Sequence, residues 1–163
     1  MIINDPKMEI LSEPVMANQK LRIDAEAFTL INDKVKLQEN REKVERCMTD
    51  ILCAPNSIID IDVNDFTDLF QEGGEIHVLD LSVDATKENR MEMLFEQIRN
   101  NANSYEPYHH VLVYFFVSEI HPLLMEELQP FSDWIASVPR KLTVKWGMAV
   151  QSGQELRATV ILQ

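Results

Sequence analysis

Glycine is scarce in this chain of 163 residues, which contains only Gly73, Gly74, Gly147 and Gly153. Loops that bind nucleotide phosphates need several glycines, because their backbone amides must approach the phosphates closely. Neither a P-loop nor a dinucleotide-binding fingerprint occurs in the sequence. We therefore expect that this chain does not bind a nucleotide by itself.

Cysteine is scarce too. The chain contains only Cys47 and Cys53, which lie on different faces of one predicted helix. That offset does not allow a disulfide, so we expect the reduced thiols of a cytoplasmic protein. The four histidines do not combine with the cysteines in a spacing typical of metal ligands. We predict no metal site.

Positive charge is limited too, since 15 lysines and arginines face 27 aspartates and glutamates and leave a net charge of −12. Such a charge repels the phosphate backbone of nucleic acids and anionic membrane surfaces. No apolar run approaches the roughly 20 residues of a transmembrane helix, and the N-terminus lacks the pattern of a signal peptide. We expect a cytoplasmic protein with neither nucleic acid nor membrane as a partner.

The apolar residues that are present recur in patterns that predict the fold. Helical spacing predicts a long helix over residues 24–53, which follows an extended segment 1–23 and ends before Pro55. Residues 54–163 then read as strand, helix, strand, helix, strand, strand, and the continuous apolar run 110–117 is typical of a strand buried on both faces. This order predicts an α/β two-layer sandwich (α+β) with helices over a four-stranded mixed sheet.

Three local signals refine this prediction. Thr86 is expected to cap the helix that follows it, and Pro130 is expected to bend or split a helix over residues 121–138. The last two strands, 141–150 and 155–162, are joined by a short turn and by themselves predict a hairpin.

A stretch rich in carboxylates follows the long helix, from Pro55 to Leu69. Its polar members are Asp60, Asp62, Asn64, Asp65 and Asp68. Phe66 and Leu69 return at helical spacing, which predicts a short helix with Asn64 or Asp65 as its N-cap. Loops of this kind usually carry function rather than packing.

The residues alone leave three explanations of this acidic loop open. The first explanation is that the carboxylates are solvated turn residues. The second is that they are oxygen ligands for a divalent cation, although the loop lacks the rest of the EF-hand pattern. The third explanation is that they orient an attacking water for a phosphoryl group held by another polypeptide.

From Ala17 onward, the order of features resembles the C-terminal half of FtsZ, a tubulin relative of bacterial cell division. Residues 17–21 are similar to the segment before that family's central helix, and the helix 24–53 resembles the central helix itself. Residues 60–65, Asp-Ile-Asp-Val-Asn-Asp, resemble the synergy loop, whose pattern is Asn-x-Asp-x-x-Asp. Further similar segments are residues 66–70 with Gly73-Gly74, 88–90, Trp146-Gly147 and 155–161.

In the family, this loop inserts into the nucleotide pocket of the neighbouring filament subunit. The resemblance implies that Asp62 and Asp65 are catalytic in trans, and that Asp60, Asn64 and Asp68 belong to the loop interface. GTP would be held by an FtsZ-type partner subunit, or by a nucleotide domain absent from this sequence, so this chain supplies at most half of a GTPase site. Asp60 stands where the family has Asn, which adds negative charge beside a triphosphate. The resemblance also places the last strand inside the sheet, against the hairpin.

Two other functions remain open at this stage. The same fold can host unrelated functions, so the chain could be a stand-alone α/β domain that binds a small molecule through His109, His110 and His121. It could also be a protein-interaction domain without a nucleotide connection, which forms a homodimer through exposed apolar residues of the helix 24–53.

Overall fold

The structure is a computed structural model that describes residues 41–69, 75–102 and 104–163. The predicted segment 1–23, the first part of the predicted helix 24–53 and the glycine turn at Gly73-Gly74 lie outside the described residues. None of the helices within the described ranges is long and apolar enough to span a membrane.

The described elements follow the predicted order, with one addition. In chain order they are α1 (Arg41–Leu52), β1 (Ser57–Ile59), α2 (Val63–Leu69), β2 (His77–Asp84), α3 (Arg90–Asn101), β3 (His110–Ser118), a 3-10 helix (Met125–Leu128), α4 (Gln129–Ser137), β4 (Thr143–Gln151) and β5 (Glu155–Leu162). The strands form one five-stranded sheet in the order β1-β4-β3-β5-β2. The predicted α/β sandwich on a mixed sheet is confirmed, and β1 is the strand that the four-stranded prediction did not include.

The last two strands are not paired with each other, so the local prediction of a hairpin is wrong. β4 runs parallel to β3 on one side, and β5 runs antiparallel to β3 on the other, between β3 and β2. The connection therefore passes over the end of β3. There, the hydroxyl of Ser118 donates a hydrogen bond of 2.5 Å to the carbonyl oxygen of Gly153, which has a φ of 101°. The order implied by the FtsZ resemblance is the observed one.

The described helices lie on both faces of the sheet, which gives the α/β sandwich three layers where two were predicted. One core cluster packs α1 and α2 against one face and includes Met48, Phe66 and Tyr114. The other packs α3 and α4 against the opposite face and includes Phe95 and Trp134. β3 contributes alternate side chains to both clusters and is buried along almost its whole length, as its apolar run predicts. The apolar side of α1 is thereby buried inside the molecule.

The start of α3 depends on a buried arginine rather than on the predicted cap. Thr86 instead donates its amide and its hydroxyl to Asp84 in the preceding turn, because the helix begins only at Arg90. Arg90 is 4% exposed, and it donates two hydrogen bonds to the carboxylate of Glu127 at 2.7 and 2.8 Å. Its remaining donors bind the carbonyl oxygens of Ala85, His121 and Pro122. This bidentate pair connects α3 to the segment before α4.

Pro130 divides the predicted helix over residues 121–138, as expected. The segment forms a 3-10 turn, and Pro130 then lies in the first turn of α4, where its missing N–H costs nothing.

The acidic loop as a candidate functional site

The acidic loop lies over β4, and a glycine makes this close approach possible. A Cβ atom at Gly147 would lie 2.6 Å from Cε2 of Tyr114 and 2.8 Å from both the carbonyl oxygen of Ile59 and Cγ1 of Ile61. Any larger residue would therefore push β1 and the start of the loop away from the sheet. β1 and Gly147 together determine the position of the start of the acidic loop relative to the sheet.

Asp62 and Asp65 bind each other's backbone across the first turn of α2. The amide of Asp65 donates to Oδ1 of Asp62 at 3.0 Å, and the amide of Asp62 donates to Oδ2 of Asp65 at 2.9 Å. This reciprocal pattern is a capping box with aspartate at both ends. Since α2 begins at Val63, Asp62 occupies the N-cap position, and the prediction of Asn64 or Asp65 as N-cap is wrong.

Lys145 connects α2, the helix that follows the acidic loop, to the sheet. From β4, its Nζ lies 3.1 Å from Oδ1 of Asp65 and 3.2 Å from Oδ2 of Asp68. Lys145 and Asp65 are only 27% and 30% exposed, whereas Asp68 is 57% exposed. The pair with Asp65 is therefore the better shielded of the two, and solvent weakens the second pair more.

The pKa values of these groups follow from their contacts. Partial burial by itself raises the pKa of Asp65, but the amide of Asp62 and the ammonium of Lys145 stabilise the carboxylate, and the pKa is lowered below its ordinary value. Burial likewise disfavours the charged form of Lys145, yet Asp65 and Asp68 outweigh it and its pKa is raised. Both groups are therefore charged at neutral pH.

The other polar side chains of the loop face solvent. Asp60, Asp62, Asn64 and Asp68 are all exposed. Within the described ranges, no hydrogen bond reaches Oδ2 of Asp62. The loop thus has an exposed carboxylate at a helix cap with one oxygen not engaged by the described residues, which is an arrangement suited to orienting a water or accepting a proton. No group of three or more acidic, histidine or cysteine side chains in the described part of the chain is placed to hold a metal ion.

Arg157 is a charged residue on the same face of the sheet as the acidic loop, and sequence reasoning did not single it out. On β5, it donates to Asp80 of β2 at 2.7 and 3.2 Å and to Asp50 of α1 at 2.9 Å. Its guanidinium also lies 4.7 Å from the centre of the Phe116 ring, a cation–π contact. The sequence does contain a signal for this cluster, because Arg157 alternates with apolar residues in a predicted strand and a buried cation needs a partner.

The three histidines of the small-molecule hypothesis are not brought together. His109 and His110 lie at the start of β3 and His121 lies beyond its end, roughly 25 Å away along the strand. A groove of about 590 Å³ lies between α3 and α4, and its lining is largely acidic and contains no histidine. The apolar pocket around imidazoles that this hypothesis requires is not formed by these residues.

Comparisons with known proteins find no matching family model and no matching curated protein. Solved structures do match. An FtsZ mutant of M. jannaschii matches with a TM-score of 0.56 and 14% identity, over 76% of this chain and 37% of that chain. TubZ of Bacillus thuringiensis serovar israelensis, solved as GDP-form protofilaments, matches with a TM-score of 0.58 and 9% identity, over 75% of this chain and 36% of that chain.

CetZ2 from Haloferax volcanii, solved as a GTPγS-bound protofilament, matches with a TM-score of 0.50 and 13% identity, over 75% of this chain and 37% of that chain. The chain thus spans little more than a third of the length of these proteins. At such low identity the likeness establishes the fold, which is that of the C-terminal part of FtsZ and its relatives. The resemblance derived from the sequence is confirmed at this level.

Proposed function

We propose that this chain, which has the fold of the FtsZ C-terminal domain, contributes its acidic loop to the GTP site of a neighbouring subunit in a cytoplasmic filament of the cell-division type. The observation that carries the proposal is the exposed, helix-capped loop with Asp62 and Asp65 at the positions where the family pattern has its two aspartates. The chain acts as half of a site, and hydrolysis requires a partner that holds the nucleotide.

The chemistry of phosphoryl transfer supports a half-site of this kind. Hydrolysis of a γ-phosphate depends mainly on positioning the water and on stabilising charge, so a second polypeptide can supply the positioning group. A carboxylate held by a helix cap meets this need because its direction is determined before the partner binds. The four glycines of the sequence provide no glycine-rich phosphate loop, which assigns the phosphates to the partner.

The proposed partner is an FtsZ-type GTPase subunit, and assembly is end to end. FtsZ, TubZ and CetZ2 match this fold, and the TubZ and CetZ2 structures are protofilaments. Asp60 and Asp68 would lie at the same interface as Asp62, Asn64 and Asp65. Since Asp60 adds a charge where the family pattern has Asn, we expect weaker activation of hydrolysis than a family member gives.

The proposal is tested by adding the purified chain to a purified FtsZ-type GTPase and measuring GTP turnover and co-sedimentation. We expect turnover to change with the concentration of the chain, and the Asp62→Asn and Asp65→Asn variants to reduce that change. Asp133→Asn is the matched control, because it removes the same charge from an exposed position on α4. If the wild-type chain neither binds the GTPase nor alters its turnover, the proposal is wrong.

A further inference from the structure

The turn between β3 and α4 exposes several apolar side chains close together. Among the described residues five large apolar side chains are exposed, and three of them lie within residues 120–125, which we call the apolar turn. Ile120 is 57% exposed, Leu124 58% and Met125 81%. Single exposed apolar side chains are common, whereas a group of them bordered by polar residues is typical of an interaction site.

The buried Arg90 holds the backbone of the apolar turn in place. Its guanidinium donates to the carbonyl oxygens of His121 at 2.8 Å and Pro122 at 2.9 Å. Glu127, the carboxylate paired with Arg90, also accepts the amide of Leu124 at 2.8 Å. Because these bonds order the turn before any partner arrives, a partner that covers Leu124 does not have to order it.

A groove begins at the apolar turn and continues between α3 and α4. It consists of a cavity of about 450 Å³ lined by Ile120 and Leu124, and of the cavity of about 590 Å³ described above. The two cavities share Glu88 as a lining residue, and we call them together the α3 groove. The larger cavity follows α3 from Met91 to Arg99, about 12 Å at the rise of a helix. It therefore accommodates about two turns of a helical segment.

The charge of the α3 groove is strongly negative. Its larger cavity is lined by Arg99 and by six carboxylates, those of Glu88, Glu92, Glu96, Glu126, Glu127 and Asp133. Glu127 is paired with Arg90, and the other five are exposed. Such a lining attracts lysine and arginine. It also disfavours a second copy of this chain as the partner, since a symmetric contact would bring two sets of like charges together.

We propose that the α3 groove and the apolar turn form a docking surface for a segment of another protein that carries lysines or arginines beside apolar side chains. Its apolar side chains cover Leu124 and Met125, and its cations lie along α3 beside Glu92 and Glu96. The surface is on the opposite face of the sheet from the acidic loop, so both can be occupied at once. This inference goes beyond the proposed function and does not depend on it.

The proposal is tested with a synthetic helical peptide of about 14 residues, or four turns, with leucines along one face and lysines at the other positions. It is titrated into the isotope-labelled full chain and followed by NMR. We expect the amide signals of residues 88–99 and 120–133 to shift, while those of the acidic loop at 60–68 do not. The same peptide with serine in place of leucine should bind at least tenfold more weakly, and added salt should weaken binding of the leucine peptide.

Variants of the apolar turn test whether it supplies the apolar contacts. Leu124→Ser combined with Met125→Ser should weaken binding of the leucine peptide about tenfold or more, because two exposed side chains lose their apolar contacts. Ile58→Ser is the matched control, since it removes an apolar side chain that is 61% exposed on β1, and it should leave binding unchanged.

Variants of α3 test the charge of the groove. Glu92→Gln combined with Glu96→Gln should weaken binding about two- to fivefold at low salt, as expected for exposed ion pairs. Glu42→Gln combined with Glu155→Gln removes the same charge from exposed positions outside the α3 groove, and should have little effect.

Four results would overturn the proposal. The first two are absence of binding, and shifts of the acidic loop as large as those of the groove, which would indicate attraction to negative charge in general. The third is unchanged binding in the variant with serine at positions 124 and 125. The fourth is a dimer of the free chain in sedimentation equilibrium that Met125→Ser abolishes, since a second copy would then cover the apolar turn.

Discussion

The two faces of the sheet are held by different kinds of contact. On the α3/α4 face, aromatic rings pack against one another with centroids 5.2 to 6.4 Å apart. The rings are those of Phe95, Tyr105, Phe115, Phe131, Trp134 and Trp146. On the α1/α2 face a smaller apolar core is bordered by the ion pairs of Arg157 and Lys145.

The α3/α4 face thus forms the scaffold of the fold, and the α1/α2 face carries the candidate site. The rings stabilise the fold mainly through the apolar area that they bury, and that contribution is non-directional. The acidic loop is largely exposed, so burial contributes little to its position. It is held instead by the hydrogen bonds between Asp62 and Asp65, by Lys145 and by its close approach to the sheet at Gly147. We expect mutations on the two faces to differ in kind: loss of stability on the first, and displacement of the site on the second.

The largest loss of stability is expected on the aromatic face. Phe95 is fully buried and contacts three other rings, so Phe95→Ala should lower the free energy of unfolding by about 3–5 kcal/mol. Glu96→Ala, at the next and exposed position of α3, should change it by less than about 0.5 kcal/mol. Urea unfolding measures both. A small effect of Phe95→Ala would contradict the assignment of this face as the scaffold.

A smaller loss, accompanied by movement of the loop, is expected at Gly147. Gly147→Ala places a methyl group against the Tyr114 ring and the carbonyl oxygen of Ile59, which should cost about 1–3 kcal/mol and shift the amide NMR signals of residues 57–65. Gly153→Ala is the control. Its φ of 101° makes the substitution costly by about 1 kcal/mol, but apart from its chain neighbours no atom of the described residues lies within 4 Å of the added Cβ. If the NMR signals of residues 57–65 shift equally in both variants, Gly147 does not determine the position of the acidic loop.

Arg157 tests whether ion pairs hold α1 on the sheet. Arg157→Met leaves Asp80 and Asp50 without this partner, and should cost about 1–3 kcal/mol. Cys47 lies on α1, and burial raises its pKa to about 11, so its thiol should react slowly at neutral pH. We expect a thiol reagent to label Cys47 faster in Arg157→Met than in the wild type. An unchanged labelling rate would mean that apolar packing alone holds α1.

The smallest effect is expected from acid. Because the pKa of Asp65 in the folded chain lies below its ordinary value of 3.8, the unfolded chain takes up the proton first as the pH falls. The stability from Asp65 is therefore complete above about pH 5 and is lost as the pH falls through the lowered pKa. Asp65→Asn should make the free energy of unfolding less dependent on pH between about 5 and 3, by about 0.5 kcal/mol. An unchanged slope would indicate that solvent screens the pair completely.

Much of the fold was predictable from local pattern. The run 110–117 predicted a strand buried on both faces, and β3 has that burial. Pro130 predicted the division of a helix, and α4 begins there. In these cases the deciding quantities, side-chain alternation and a missing backbone donor, belong to neighbouring residues and can be read along the chain.

The contacts that shape the site were not predictable in this way. Asp65 and Asp68 meet Lys145 across 80 and 77 residues of sequence, and Asp50 meets Arg157 across 107. Each of these residues has an ordinary local context, as a polar helix residue or as a polar position in a strand. Their pairing exists only once the sheet has brought distant segments together.

The sequence by itself determined most of the described strands and helices, with β1 as the exception, and it placed an acidic stretch before a short helix. Local pattern predicted a hairpin, and only the tertiary structure decided that β5 enters the sheet between β3 and β2, and that Asp65 meets Lys145 while the side chain of Asp62 stays exposed. Strand order is selected by the apolar area that each strand buries at a sheet edge, and the direction of a carboxylate by the donors that surround it. Both depend on residues remote in sequence, which become neighbours only in the folded chain.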